Sequence, residues 1–177
     1  GDLHTRDKAS FLAWTRRWLE LTTYEISCPA LRDPSLAPPG KTGLIVSSLM
    51  EYSLFRHAES LGWGEEYRNF CAQTIIEVLE GSILGGLKAA VLEVSSASPR
   101  SIERLTGNSE GAITGWAFTN RPVPAIHRLP KVAKSILTPV PGVYQAGMWT
   151  FSPSGLPISI LTGKLAADRV LKDLTRI

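Results

Sequence analysis

The chain has 177 residues, 44% of them hydrophobic, which is enough to bury one core and predicts one domain or slightly more. Its formal net charge is +3. No apolar run approaches the roughly 20 residues that span a bilayer, and the N-terminus shows no signal-peptide pattern. Composition therefore favours a soluble globular protein over a membrane-spanning one.

A helix is predicted over residues 8–21, because four large apolar side chains recur there at helical spacing: Phe11, Trp14, Trp18 and Leu21. Such a stripe indicates a helix that packs its aromatic residues into a core. A helix that contacts lipid stays open as the alternative, since Arg16 and Arg17 accompany the tryptophans.

Two adjacent antiparallel strands are predicted next, at residues 22–28 and 43–49. The first alternates Thr, Tyr, Ile and Cys, and the second is apolar enough to be a buried strand. Prolines between them predict a long loop over residues 29–41, in which Asp33 and Pro34 form a turn without a catalytic role.

The clearest predicted helix covers residues 65–79 and ends at Gly81. Acidic residues open it, where the helix dipole favours them, and five side chains form its apolar stripe: Tyr67, Cys71, Ile75, Val78 and Leu79. The β-branched content of residues 90–94 predicts another strand. Ser98 and Pro99 then start a short helix, which Gly107 ends.

Residues 111–141 are predicted to be irregular, because five prolines forbid a long helix there. Between residues 111 and 167 the chain has five basic and no acidic residues: Arg121, Arg128, Lys131, Lys134 and Lys164. Aromatic residues do not interleave with these cations, which disfavours nucleic acid as a partner. Two partners remain, an anionic membrane surface or carboxylates elsewhere in a larger protein.

The C-terminal stretch is predicted to form a strand at residues 143–146, a glycine turn and a helix. The helix starts near residues 156–158, with Ser154 as its cap, and runs to Asp173. Its first turn leaves backbone N–H groups unpaired, and no carboxylate lies near in sequence to neutralise them. This arrangement suits an electron-rich ligand edge or a phosphate.

Three ordered blocks, at residues 26–41, 102–116 and 142–167, resemble the phytoene desaturase-like flavoproteins, the group of carotenoid desaturases, prolycopene isomerase and retinol saturase. The third block carries the most specific pattern, G-x-Y-x-A-G-x-W over residues 142–149. It continues with Pro153-Ser154-Gly155-Leu156-Pro157 and Thr162-Gly163-Lys164-Leu165-Ala166-Ala167. One departure is Ser-Pro-Ser-Gly at residues 152–155, where relatives often have a glycine-rich run.

The resemblance implies an α+β chain within a protein that is α/β as a whole. Residues 1–120 would belong to an antiparallel-sheet substrate domain with helices, and 121–140 to a basic, proline-rich crossover. Residues 141–177 would be the C-terminal strand-turn-helix of a FAD-binding Rossmann-like domain. FAD is the implied cofactor, and its implied contacts are Gly147, Met148, Pro153, Ser154, Gly155, Leu156, Pro157 and Ile158.

Two glycines have specific expected roles in this family reading. Gly155 is expected where backbone approaches the flavin ring, and its φ is expected to be positive. Gly163, inside the helix, is expected to allow close packing against a strand or the cofactor.

No G-x-G-x-x-G turn follows a predicted strand, although the resembled family holds the FAD pyrophosphate with such a turn. The chain is therefore expected to be the C-terminal portion of a larger flavoprotein, with the N-terminal Rossmann half as its partner. On its own it should lack stable FAD binding.

Catalytic residues stay unknown. His4, His57 and His127 lie in unrelated contexts, and neither a nucleophile elbow nor metal-ligand spacing occurs. His57 is expected on a helix surface and His127 in a solvated basic segment. Cys28 and Cys71 are expected to be reduced and buried, with a disulfide between them as the alternative.

The leading hypothesis is an FAD-dependent oxidoreductase that desaturates, saturates or isomerises a polyisoprenoid-like apolar substrate. Its expected location is the cytoplasm or a plastid-like compartment, with peripheral membrane contact as an option. The alternative is a non-catalytic lipid-binding or interaction module of the same fold. An amine-oxidase-like flavoprotein is a third interpretation, which the block at residues 106–111 disfavours.

Overall fold

The computed structural model describes residues 7–116 and 123–175, and the chain divides into two compact units, residues 1–100 and 101–177. Helices and a two-stranded antiparallel sheet agree with the predicted α+β class. The assignment of residues 1–120, 121–140 and 141–177 to functional domains stays a prediction. His4 and Arg121 lie outside the described residues.

The first unit contains α1 (Lys8–Leu21), β1 (Glu25–Ser27), β2 (Ile45–Ser47), α2 (Tyr52–Ser60), α3 (Gly64–Glu80) and α4 (Leu87–Ala90). Two short 3₁₀ helices, Pro29–Leu31 and Pro34–Leu36, lie between the strands. The Asp33 carboxylate accepts the backbone N–H of Ser35 at 3.0 Å, so the predicted turn is confirmed.

Aromatic side chains from α1, α2 and α3 form the core of the first unit. The Phe11 ring lies 5.4 Å from the Trp63 ring and 5.3 Å from the Tyr67 ring, both edge to face. The Tyr67 hydroxyl is 3.1 Å from the Thr15 hydroxyl, so a buried polar group has a partner. Packing of α1 into a core is therefore confirmed, as is the predicted helix over residues 65–79.

One residue of the predicted α1 stripe is misplaced. The buried line runs through Phe11, Thr15 and Leu19 at a spacing of four, whereas Leu21 is 69% exposed. Leu21 follows Leu19 by two residues, more than half a helical turn, which places its side chain off the buried line.

The two strands pair antiparallel as predicted, with Ile26 opposite Val46. Each has only three residues, and β2 is not the buried strand that was predicted, because Ile45 is 56% exposed. The strand predicted at residues 90–94 is wrong. α4 occupies its beginning, and residues 91–94 have no regular structure.

The second unit is built around α6 (Leu156–Leu174) and begins within α5 (Pro99–Thr106). Gly107 follows α5 with a φ of +71°, which confirms the predicted helix stop. Further 3₁₀ helices lie at Ser109–Gly111 and Leu129–Lys134. Within the parts of the chain described, no helix is both long enough and apolar enough to cross a bilayer.

Residues 123–155 contain no helix except the 3₁₀ helix Leu129–Lys134, which agrees over residues 123–141 with the prediction that no long helix forms there. Two isolated bridges hold it together, a parallel one between Ile126 and Phe151 and an antiparallel one between Leu137 and Tyr144. The strand predicted at residues 143–146 is wrong, since only the bridge at Tyr144 forms there.

Candidate cofactor site

The site predicted from the sequence lies at the start of α6. Pro157 occupies the first turn, and the N-cap is Gly155 in place of the predicted Ser154. Gly155 is extended, with φ 161° and ψ −178°, so the chain turns helical one residue after the predicted cap. No side chain caps the helix and no acidic residue lies in its first turn, so the first N–H groups lack partners within the helix.

Ser154 supplies an enclosed polar atom at this helix start. Its hydroxyl oxygen is shielded from solvent and has no hydrogen-bond partner in the described part of the chain. Leaving such a group unpaired costs about 1–3 kcal/mol. A polar ligand edge bound at the start of α6 would satisfy it.

Neither glycine of this region packs closely against the described chain, and their contacts with a cofactor stay predictions. The φ of Gly155 is extended and not left-handed, so the expected positive φ is wrong. A Cβ on Gly155 would meet only Pro157 Cδ, at 3.9 Å, and one on Gly163 would meet no atom within 4 Å. Both positions therefore face open space.

Thr162 fixes the preceding turn to α6. This side chain is fully buried, and its hydroxyl accepts the Gly147 backbone N–H at 3.1 Å and donates to Ile158 O at 2.9 Å. The carbonyl of Gly147 accepts the Thr150 hydroxyl at 2.8 Å. Both backbone groups of Gly147 are thus held by side chains.

The second family-like block packs against Met148. Gly115 has a φ of +81°, and a Cβ there would lie 2.3 Å from Met148 O, so only glycine fits. Asn108 Nδ2 lies 3.5 Å from Met148 Sδ, and Asn108 Oδ1 accepts Trp149 Nε1–H at 3.4 Å. The family-like blocks at residues 102–116 and 142–167 therefore pack together around the turn that contains Met148.

A pair of tryptophans completes this contact. The Trp116 and Trp149 rings are perpendicular with centroids 5.4 Å apart, and Trp116 Nε1–H donates to Trp149 O at 2.9 Å. Sequence reasoning missed the roles of Trp116, Asn108, Gly115 and Thr162. The available signals were a glycine and an asparagine inside a family-like block and a threonine inside an apolar helix.

The eight predicted site residues thus fall into two groups. Gly147 and Met148 lie on the turn that α6 and the second block hold, and residues 153–158 form the segment leading into α6. Leu156 is 75% exposed. At the other end of α6, the Tyr144 hydroxyl donates to Asp173, and both groups raise the pKa of Arg169.

Other candidate chemistry has little support in the described residues. His57 lies on α2, where it is half-buried with its ring 5.5 Å from that of Phe11, and His127 is exposed as expected. Both cysteines are free thiols; Cys71 is buried, and burial raises its pKa to about 12, but Cys28 is only partly buried. Across residues 7–116 and 123–175, no cluster of three or more His, Cys, Asp or Glu could hold a metal.

Comparison with known proteins gives distant relatives. Prolycopene isomerase 2, chloroplastic, of an Oncidium hybrid cultivar is 29% identical over 170 residues, 91% of this chain and 26% of the relative. Pyridine nucleotide-disulfide oxidoreductase domain-containing protein 2 of Mus musculus is 28% identical over 85% of this chain and 25% of the relative. The 4,4'-diapophytoene desaturase (4,4'-diaponeurosporene-forming) of Staphylococcus aureus (strain Newman) is 26% identical over 84% of this chain and 28% of the relative.

No family model and no solved structure matches the chain. The chain spans about a quarter of the length of the curated relatives it matches. Taken together, their names cover carotenoid chemistry and oxidoreductase activity. The chain is thus a distant relative of proteins named as prolycopene isomerases, 4,4'-diapophytoene desaturases and a pyridine nucleotide-disulfide oxidoreductase domain-containing protein.

Proposed function

We propose that the chain is the C-terminal portion of an FAD-dependent oxidoreductase that desaturates, saturates or isomerises a polyisoprenoid-like apolar substrate. The observation that carries the proposal is the uncapped start of α6, with an unpaired Ser154 hydroxyl beside it and no nearby acidic residue. It falls in the sequence block that resembles the phytoene desaturase-like flavoproteins. The names of the distant relatives support the same chemistry.

The residues at the start of α6 fit a flavin ring edge. Ser154 has a hydroxyl to pair, Gly155 leaves open space, and the first-turn N–H groups carry the positive end of the helix dipole. FAD, when bound, would supply hydride acceptance or donation. The N–H groups of Leu156 and Ile158 would stabilise negative charge at the pyrimidine end of the ring.

A second observation supports a partner for α6. One side of this helix carries large apolar residues that are more than 60% exposed, together with the small residues Gly163 and Ala167. Its large members are Leu156, Ile160, Leu171 and Leu174. Such a face is suited to close packing against another apolar element. In our proposal the N-terminal Rossmann half of the same protein covers it.

The relatives named as chloroplastic favour a plastid-like compartment over the cytoplasm in this proposal.

If the chain is part of an FAD-dependent enzyme, the gene upstream of Gly1 should encode a strand, a G-x-G-x-x-G turn and a helix. Absence of that pattern from the natural gene would favour the non-catalytic lipid-binding or interaction module instead.

Gly155 provides the direct test in the longer protein. Gly155→Val should sharply lower the bound flavin per chain, because the side chain would occupy the space proposed for the ring. The same substitution should change the thermal midpoint of the 177-residue chain only slightly, since it meets a single atom at 3.9 Å. Flavin content is read from the absorbance of the purified protein.

Gly43→Val is the matched control, because a Cβ at Gly43 meets no atom within 4 Å and, as at Gly155, the φ is not left-handed. It should leave the flavin content unchanged. Full flavin content and activity in the Gly155→Val protein would refute the proposed location. Sub-micromolar FAD binding by the 177-residue chain alone would refute the assignment of the pyrophosphate site to the N-terminal half.

A further inference from the structure

Three cations follow one another at a spacing of three along the 3₁₀ helix Leu129–Lys134. Arg128 is its N-cap residue, and Lys131 and Lys134 lie within it. Side chains three apart align on a 3₁₀ helix, so this spacing places the three cations along one side. All three are exposed, and none has an ion-pair partner among the residues that the structure describes. We refer to Arg128, Lys131 and Lys134 as the basic row.

The residues after the basic row anchor it to the second unit. Ser135 and Ile136 are each 3% exposed. Gln145 Nε2–H donates to Ser135 O at 2.8 Å, and the Gln145 backbone N–H donates to Ile136 O at 2.8 Å. The row is therefore presented on an anchored segment, which lowers the entropy lost when it binds a partner.

An apolar side chain accompanies the row. Leu129 is 62% exposed, directly beside Arg128 in sequence. No acidic residue occurs between Glu110 and Asp168, so the local positive potential is not offset by the surrounding sequence. Cations next to an exposed leucine match the two layers of a membrane surface, charged headgroups above acyl chains.

We propose that the basic row docks on an anionic phospholipid surface, with Leu129 inserted between the headgroups. Nucleic acid is the weaker partner, because the row contains no aromatic side chain on which a base could stack. The inference depends on the second unit alone and not on flavin chemistry.

The test is co-sedimentation of the 177-residue chain with vesicles of phosphatidylcholine, with or without 30 mol% phosphatidylglycerol, at about 0.1 M salt. The chain should bind the anionic vesicles and release in high salt. Each cation near the surface contributes roughly fivefold to partitioning, so Arg128→Gln, Lys131→Gln and Lys134→Gln together should weaken binding about a hundredfold. Leu129→Ser should also weaken it.

The matched control removes three exposed cations of the first unit, Arg32→Gln, Lys41→Gln and Arg56→Gln, and gives the same net charge. It should retain most of the vesicle binding. Thermal midpoints close to that of the parent chain would show that both triple variants are folded.

Three outcomes would overturn the proposal. The first is no binding to anionic vesicles, and the second is an equal loss of vesicle binding in both triple variants. The third is that the basic row binds single-stranded DNA and not vesicles. None of these outcomes bears on the flavin content of the longer protein. Conversely, a longer protein without flavin whose basic row still binds vesicles would refute only the proposed function.

Discussion

Replacing Gly115 with alanine should destabilise the second unit more than the same change at Gly107, Gly142 or Gly147, left-handed glycines where an added Cβ would meet no atom within 4 Å. The added Cβ would lie 2.3 Å from Met148 O, against about 3.4 Å for an ordinary contact. The backbone of the turn must therefore move by about 1 Å, and overpacking of this kind costs about 1–3 kcal/mol. The left-handed φ of +81° adds about 1–2 kcal/mol for a residue with a Cβ.

The expected loss in the free energy of unfolding is therefore about 2–5 kcal/mol. Gly107→Ala separates the two contributions, because its φ is +71° but a Cβ there meets no atom within 4 Å. This control should lose only the free energy that a left-handed φ costs a residue with a Cβ, about 1–2 kcal/mol. Urea unfolding monitored by circular dichroism measures both variants.

Hydrogen exchange shows where the loss occurs. Amides of residues 147–152 should exchange faster in Gly115→Ala than in Gly107→Ala, since the clash acts on the turn that contains Met148. Equal unfolding free energies of the two variants, or unchanged exchange across the turn, would refute the close approach of Gly115 to Met148.

Thr162→Val should lower the free energy of unfolding by about 1–3 kcal/mol, because it leaves the Gly147 N–H without its acceptor. Thr162→Ser keeps the hydroxyl and should lose much less stability. Urea unfolding of both variants measures the difference. A smaller loss for valine than for serine would contradict the role of the hydroxyl. Free energy of unfolding should also fall as the pH rises from 9 toward 12, because burial holds the folded Cys71 pKa at about 12 while the unfolded thiol, with its ordinary pKa of 9.0, releases its proton first. Denaturant titrations at several pH values check this, and Cys71→Ala should reduce the slope.

The helices α1 and α3 could be predicted from the sequence because their signals are local. Apolar side chains recur at helical spacing, and Gly81 ends α3 where a glycine was expected to do so. The failed strand at residues 90–94 has a physical cause. Short apolar runs fit several structures. Here the Glu80 carboxylate accepts the N–H groups of Gly86 and Lys88 and holds the start of α4, which takes Ala90 out of the predicted strand.

The surroundings of the candidate site could not be predicted in the same way. The contact of Trp116 with Trp149 spans 33 positions, and that of Asn108 with Trp149 spans 41. No local periodicity encodes such pairs. At the start of α6, Ser154 and Gly155 are both good cap residues, so propensity alone could not choose between them.

The pairing of β1 with β2 has a consequence for the chain in concentrated solution. A sheet of two three-residue strands leaves outer backbone N–H and C=O groups open to pairing, and Ile45 adds an exposed apolar side chain beside them. A strand from a second copy can extend such an edge, and each addition presents a fresh edge to the next molecule. The tendency of the isolated chain to self-associate would then grow with its concentration, and a lysine in place of Ile45 would oppose it through charge repulsion along the edge.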